Sequence, residues 1–352
     1  MSLEDLAAGL DDLSRNREAL ALLILQGQRA APVLAEVLLG PPSSIPEPRC
    51  LAAEGLGAIG GAAAVSALIH VLTCNDIRQL DPILRLAEEA VRNRAAEQLG
   101  KLGDRRAVEP LRYALAHGGL REAMAALARF GEVRAIPHIV SRLEDPCDRA
   151  AAADALVTFG TMAASALTAA LAEWRPSPMD EAPVSIERRA EAARLLGILG
   201  DRSLIPVLSA CLEDPAGIVQ LEVALALATV MGADTPGRAL AILAQGLGHP
   251  SLPIQVRCAD ALVALGDRAI PHVISLGGPR LTAAARPRQP GDDALQIAVI
   301  EILERIGTEA SVCGLQDFLR DRSPLARARA RRALSAVSPT GCAPGELPVA
   351  RG

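Results

Sequence analysis

Aromatic residues are almost missing from this chain, which has one Trp, one Tyr and three Phe in 352 residues. A core without large rings, built on Ala and Leu, lacks the residues that favour sheets and suits closely packed helices. Lysine is nearly absent as well, Lys101 standing alone among arginines. The net charge is only −5, so no overall field draws the chain to polyanions. Seven cysteines (Cys50, Cys74, Cys147, Cys211, Cys258, Cys313, Cys342) are odd in number and scattered, with no C-x-x-C pair. That excludes a disulfide framework and a zinc module, and a reducing cytoplasm is the expected location.

Chemistry is missing too. The histidines His70, His117, His138, His249 and His272 form no H-E-x-x-H, no H-x-x-x-H and no His-Glu dipeptide, so metal-ligand spacing is lacking. The string "GLGAIGGAAA" (55–64) holds two glycines five apart but no Lys-Ser/Thr after them, and it falls on a turn. No G-x-S-x-G and no dinucleotide fingerprint occurs. A non-catalytic protein with no cofactor and no metal is expected. The first residues are acidic, without the features of a signal peptide. The richest apolar run, "VALALATVMGA" (223–233), is short for a membrane span, so no membrane partner is expected.

What the chain does have is one turn written many times. "KLGDRRAVEPLRYAL" (101–115) returns as "ILGDRSLIPVLSACL" (198–212) and "ALGDRAIPHVISL" (264–276). The turn glycines are Gly27, Gly60, Gly103, Gly131, Gly160, Gly200, Gly232, Gly266 and Gly307. Four residues before the glycine stands Leu23, Leu56, Leu99, Leu127, Leu156, Leu196, Leu262 or Leu303, with Ala228 the exception. Eight before it there is usually alanine. A four-residue step keeps both positions on one helical face, and the small residue lets a neighbouring helix come close. After the glycine, apolar residues recur on one face of the next helix, as in Val108, Leu111 and Leu115. Asp104, Asp201 and Asp267 suit the start of that helix, and Pro137, Pro206 and Pro271 fit its first turn. Asp145-Pro146, Asp214-Pro215 and Ser323-Pro324 are start signals for the other helix of each pair.

Each unit thus reads as helix, connector, helix, glycine turn. Two such helices cannot bury their apolar faces alone, so neighbouring units must stack. The expected fold is all-α, an α–α superhelix of about nine hairpins over residues 1–337. At a helix spacing of roughly 10 Å it would extend about 90 Å. Inserts at 40–49, 73–89, 173–186 and 277–293 are expected to project along one edge, and 338–352 reads as a disordered tail. "DPCDRAAAADAL" (145–156) with its following glycine, and "GDRRAVEPL" (103–111), resemble HEAT repeats of the short kind also found in phycobilisome lyases. The resemblance covers about residues 15–336. It implies an armadillo-like solenoid and leaves function open, since such arrays scaffold, transport, chaperone and occasionally catalyse.

The favoured function is a bacterial protein-interaction scaffold that binds a protein or peptide on its concave groove and insert edge. Candidate contacts are Arg49, Arg121, Arg149, Arg189 and Arg257, early in the second helices, with Glu122, Asp154 and Glu191 as their expected charge partners. Trp174 and Arg175 in the third insert complete the set. Two alternatives stay open: a bilin-lyase-like chaperone subunit, and nucleic-acid binding through the basic last helix. In the latter Arg327, Arg329, Arg331 and Arg332 would contact phosphates, although nucleic acid is not the expected partner.

Overall fold

The computed structural model describes residues 2–73, 77–118, 120–173, 182–279 and 292–337. Every element among them is helical, and no strand occurs. In chain order the helices are α1 (Leu3–Ala8), α2 (Asn16–Leu25), α3 (Ala31–Leu38), α4 (Glu47–Ile59), α5 (Gly61–Thr73), α6 (Pro82–Leu102) and α7 (Val108–Gly118). There follow α8 (Arg121–Phe130), α9 (Ile136–Ser141), α10 (Arg149–Phe159), α11 (Ala164–Ala172), α12 (Pro183–Leu199), α13 (Ile205–Ala210) and α14 (Gly217–Met231). The last are α15 (Gly237–Gly246), α16 (Leu252–Ala264), α17 (Ile270–Gly277), α18 (Asp292–Ile306), α19 (Glu309–Phe318) and α20 (Pro324–Val337). Even-numbered helices from α2 to α18 lead into a turn glycine, and odd-numbered ones from α3 to α19 follow it.

The chain forms two compact units that divide between Leu195 and Leu196, inside α12. In the first, even helices stack on even ones (α2 on α4, α4 on α6, α6 on α8, α8 on α10), and α3, α5 and α7 stack alongside. The second unit repeats this scheme, with α14, α16, α18 and α20 in one layer and α15, α17 and α19 in the other. The leucines four before the glycines are the seam of the core: all eight are fully buried. Each such side chain contributes about 1.5–3 kcal/mol through the apolar surface it removes from water. The alanines eight before the glycine, Ala52, Ala95, Ala123, Ala152, Ala192 and Ala224, are completely covered too.

All nine turn glycines have positive φ, and six of them, each closing an α-helix, divide into two conformations. Gly103, Gly131 and Gly200 are left-handed, with ψ between 15° and 31°. An acidic residue follows each and caps the next turn: Asp104 accepts from the Arg106 N–H, Glu132 from Arg134 and Asp201 from Ser203. Those hydrogen bonds hold all three carboxyls below their ordinary range, the Arg106 and Arg134 side chains dominating at Asp104 and Glu132. Gly60, Gly160 and Gly232 instead combine positive φ with ψ of −161°, −136° and −124°, a region essentially reserved for glycine. Asp267 departs from expectation. Gly266 itself opens the 3-10 turn, so Asp267 lies inside it, and its carboxylate accepts a hydrogen bond from Thr308 Oγ1.

Helix starts show similar adjustments. Asp145 and Asp214 close tight turns by accepting from the Cys147 and Ala216 N–H groups, so α10 and α14 begin at Arg149 and Gly217, beyond the prolines. Ser323 does meet the start of α20, its hydroxyl accepting from Ala326 N at 3.4 Å. Much of the insert 73–89 is helix: Asp81 caps α6 through Ile83 N and Leu84 N, with Pro82 in the first turn, making this helix 21 residues long. Residues 47–49, 183–186, 277 and 292–293 of the other inserts are helical as well. Residues 174–181, 280–291 and the tail 338–352 lie outside the described residues.

Length and apolarity need one correction. Arg149–Ala172 and Gly217–Asp234 are each long and apolar enough, by composition, to cross a membrane, with 44% of each window buried in the fold. Both are interrupted by a positive-φ glycine, Gly160 and Gly232, so each joins an α-helix to further turns.

The two glycine classes predict different tolerance. A β-carbon added to Gly103 or Gly160 would meet no atom within 4 Å, so only backbone conformation is at stake. Gly103→Ala should cost about 1 kcal/mol, and Gly160→Ala should cost more, about 2–3 kcal/mol. Urea unfolding of both variants measures the difference, and equal losses would contradict the division.

Candidate interaction surface

The five candidate arginines divide by register. Arg49, Arg149 and Arg189 stand eleven residues before their turn glycines, and so do Asn16, Arg92, Gln255 and Gln296. The structure shows why this row exists. Arg49 Nε donates to the Leu38 carbonyl at the end of α3 (2.8 Å), and Arg149 Nε donates to Leu143 O just past α9 (2.8 Å). Gln255 reaches His249 O at 2.5 Å. Gln220, one place earlier in its helix, reaches Asp214 O at 2.6 Å, and Arg327 binds Asp321 O and Arg322 O. Each side chain supplies a donor to carbonyls that the preceding helix end or connector leaves without a backbone partner. In sequence the arginines of this row read as surface contacts and the glutamines pass unnoticed, although all share one distance from the glycine.

Burial makes the point plainly. Arg189 is 0% exposed and Arg49 7%. Arg49 also forms an ion pair with Glu88 on α6, itself 1% exposed. Both side chains are interior, locking a connector and joining two hairpins. Arg149 is half-buried and pairs with Glu187 on α12.

Arg121 and Arg257 lie off this row and nearer solvent. Arg121 Nε meets Asp148 at 3.3 Å, between α8 and the start of α10. Arg257 makes two 2.6 Å hydrogen bonds to the Glu222 carboxylate, joining α16 to α14. The charge partners are therefore Glu88, Asp148, Glu187 and Glu222. Of the acidic residues expected there, Glu191 pairs with Arg194 on its own helix, while the Glu122 N–H donates to Asn93 Oδ1. Trp174 and Arg175 lie outside the described residues. At the end of that insert Arg188, which sequence reading missed, bridges Glu144 (2.7 Å) and Glu173 (2.6 Å).

On α20, Arg329 turns inward to Glu304 at 2.6 Å. Arg331 and Arg332 are exposed and make no ion pair among the described residues.

In the first unit the exposed faces of the even helices carry charge in register. Positions six and two before the glycine hold Glu97 and Lys101 on α6, Ala125 and Arg129 on α8, and Asp154 and Thr158 on α10. Glu97 and Lys101 pair at 2.7 Å. Arg129 is exposed and has no ion-pair partner among the described residues. Across the stacked odd helices, Glu109, Arg112, Tyr113, Leu115, Ala116, Ala135 and His138 line a surface cleft of about 220 Å³. Tyr113 stacks on His117 there, ring centroids 4.1 Å apart.

Burial pushes the Cys50 and Cys258 thiols up to about 11. No three His, Cys, Asp or Glu side chains gather to hold a metal ion among the described residues.

The interior assignment of Arg49 is testable. Arg49→Ala leaves Glu88 buried and uncompensated, and should cost about 3–5 kcal/mol in urea unfolding. Pairing it with Glu88→Leu should recover most of that loss. A loss below about 1 kcal/mol, as for an exposed pair, would contradict the placement.

Family models place this geometry. The HEAT repeats model matches residues 77–157, and the PBS lyase HEAT-like repeat model matches 48–74 and 188–214. No curated protein sequence matches the chain. Among solved structures, a Kap121p mutant is similar with a TM-score of 0.50 and 11% identity over 95% of this chain and 45% of that one. The CpcE–CpcF complex of phycocyanin lyase from Nostoc sp. PCC7120 is 23% identical over 69% of this chain and 92% of that one, with a TM-score of 0.35. Human deoxyhypusine hydroxylase is 17% identical over 88% and 96%, with a TM-score of 0.28. With two stacked layers of hairpins and repeat models matched in three separate places, the chain is a HEAT-repeat α-solenoid protein.

Proposed function

We infer that the chain is a non-catalytic scaffold that holds a protein or peptide partner on the exposed face of its even-numbered helices. HEAT repeats as a class suggest protein interaction. The observation that carries the reading to this surface is Arg129. It is exposed, lacks an ion-pair partner among the described residues, and stands in register between Lys101 on α6 and Thr158 on α10. An exposed cation on a rigid helix, beside a second cation engaged only within its own helix, offers carboxylates of a partner a preformed contact. Such contacts set specificity and encounter rate more than raw affinity. The row arginines Arg49 and Arg149 serve this reading indirectly by holding the helices that carry the surface. Arg121 and Arg257 contribute at its margin, where each already satisfies a carboxylate of the neighbouring hairpin.

The test is affinity purification of the native chain against a Lys101→Glu/Arg129→Glu variant of unchanged helical circular dichroism. The reading expects a saturably bound protein partner whose affinity for the variant falls about tenfold or more, a loss of about 1.4 kcal/mol. The same partner binding the variant with equal affinity would remove this surface from consideration.

A further inference from the structure

Successive even helices meet in two physically different ways. Between α8 and α10, α10 and α12, α14 and α16, α16 and α18, and α18 and α20, an ion pair crosses the seam. The pairs are Arg121–Asp148, Arg149–Glu187, Arg257–Glu222, Arg305–Asp260 and Arg329–Glu304. At least one member of four of these pairs is about 40% or more exposed at its side chain, as in Arg305 and Asp260 at 50% and 56%. Counter-ions can reach these charges.

The seam between α6 and α8 is unlike them. No ion pair joins the two helices among the described residues. Gly100 instead faces Ala126 so closely that a β-carbon on it would lie 2.8 Å from Ala126 Cβ and 3.1 Å from its Cα. A side chain has no room there, and the two backbones pack in van der Waals contact. On the other side of α6 the seam to α4 holds the Arg49–Glu88 pair, whose side chains are only 8% and 2% exposed. That charge pair is sealed from solvent. A second glycine approach, Gly197 to Ala226, has the same 2.8 Å geometry within the second unit.

The acidic and basic members also reverse along the chain. In the first unit the arginine lies on the earlier hairpin and the carboxylate on the later one, as in Arg17–Glu54, Arg49–Glu88 and Arg149–Glu187. In the second unit the carboxylate comes first, as in Glu222–Arg257, Asp260–Arg305 and Glu301/Glu304–Arg329. Arg134–Glu109 and Arg188–Glu144 of the first unit run the other way, so the reversal belongs to the named helix-to-helix pairs and not to every ion pair of a unit.

We propose that ionic strength acts on this solenoid seam by seam, loosening the ion-paired contacts around α10, α16 and α18 while α6 stays held by glycine packing and a sealed pair. α10, α16 and α18 have an ion-paired seam on both flanks. Among the described residues, α6 has none that solvent reaches. Screening weakens exposed pairs and leaves dispersion contacts untouched. The device needs no partner, and so stands apart from the binding reading.

Hydrogen exchange followed by mass spectrometry on the full chain tests it, at about 0.05 M and about 1 M NaCl. Exchange in α10, α16 and α18 should accelerate about threefold or more at high salt, with α6 unchanged. Glu222→Gln supplies the second arm: at low salt it should speed exchange in α16 about as much as salt does, and leave α10 unaffected. Acceleration of α6 equal to that of the other three, or no acceleration in any of them, would overturn the proposal. So would a Glu222→Gln variant whose α16 responds to salt like the native helix and exchanges at the native rate in low salt.

Discussion

A single HEAT hairpin cannot cover its own apolar face, and this need for a neighbour governs the whole chain. The leucine four before eight of the nine turn glycines meets no water because the adjoining helices lie over it, and the alanine that stands one turn earlier in most units lets them come that close. From that requirement follow the small side chains, the scarcity of rings, and the recurrence of a turn that returns the chain at a fixed point. The glycine supplies a backbone angle that other residues adopt only with strain, and at six of the turns it does so in two variants that differ in ψ.

Polar chemistry then follows the stacking. Short helices end often, and each end leaves carbonyls without backbone partners. The row of Arg and Gln side chains eleven before the glycine answers that need, and at Arg49 and Arg149 the leftover charge reaches a carboxylate on the next hairpin. Residues that in sequence resemble a binding ladder are thereby spent on holding connectors in place. The surface proposed for a partner is the outward face of the even helices, where Lys101 and Arg129 stand.

The architecture was legible because a period of hydrophobic positions is a one-dimensional signal, and Leu23, Leu99, Leu127 or Leu303 can be found by counting from a glycine. Pro137, Pro206 and Pro271 were legible for the same reason, each lying in the first turn of a helix. The surface was not, because exposure depends on which way a side chain leaves a helix and on what lies a hairpin away. Arg49 and Arg121 look alike in sequence, yet one is sealed against Glu88 and the other sits near solvent beside Asp148. Asp267 shows the limit at short range: it follows its glycine as Asp104 does, but the turn there begins one residue earlier. The helical start of α6 at Pro82 was hidden by the length of its insert, though Asp81-Pro82 carried the same signal as Asp145-Pro146.

Native-state hydrogen exchange of a Leu127→Ala variant tests the dependence of each hairpin on its neighbours most directly. Truncating this buried leucine removes about 2–5 kcal/mol, and the account predicts that protection falls in α6 and α10 together with α8, while α16 and α18 keep theirs. Loss confined to α8, or spread evenly through the chain, would contradict it.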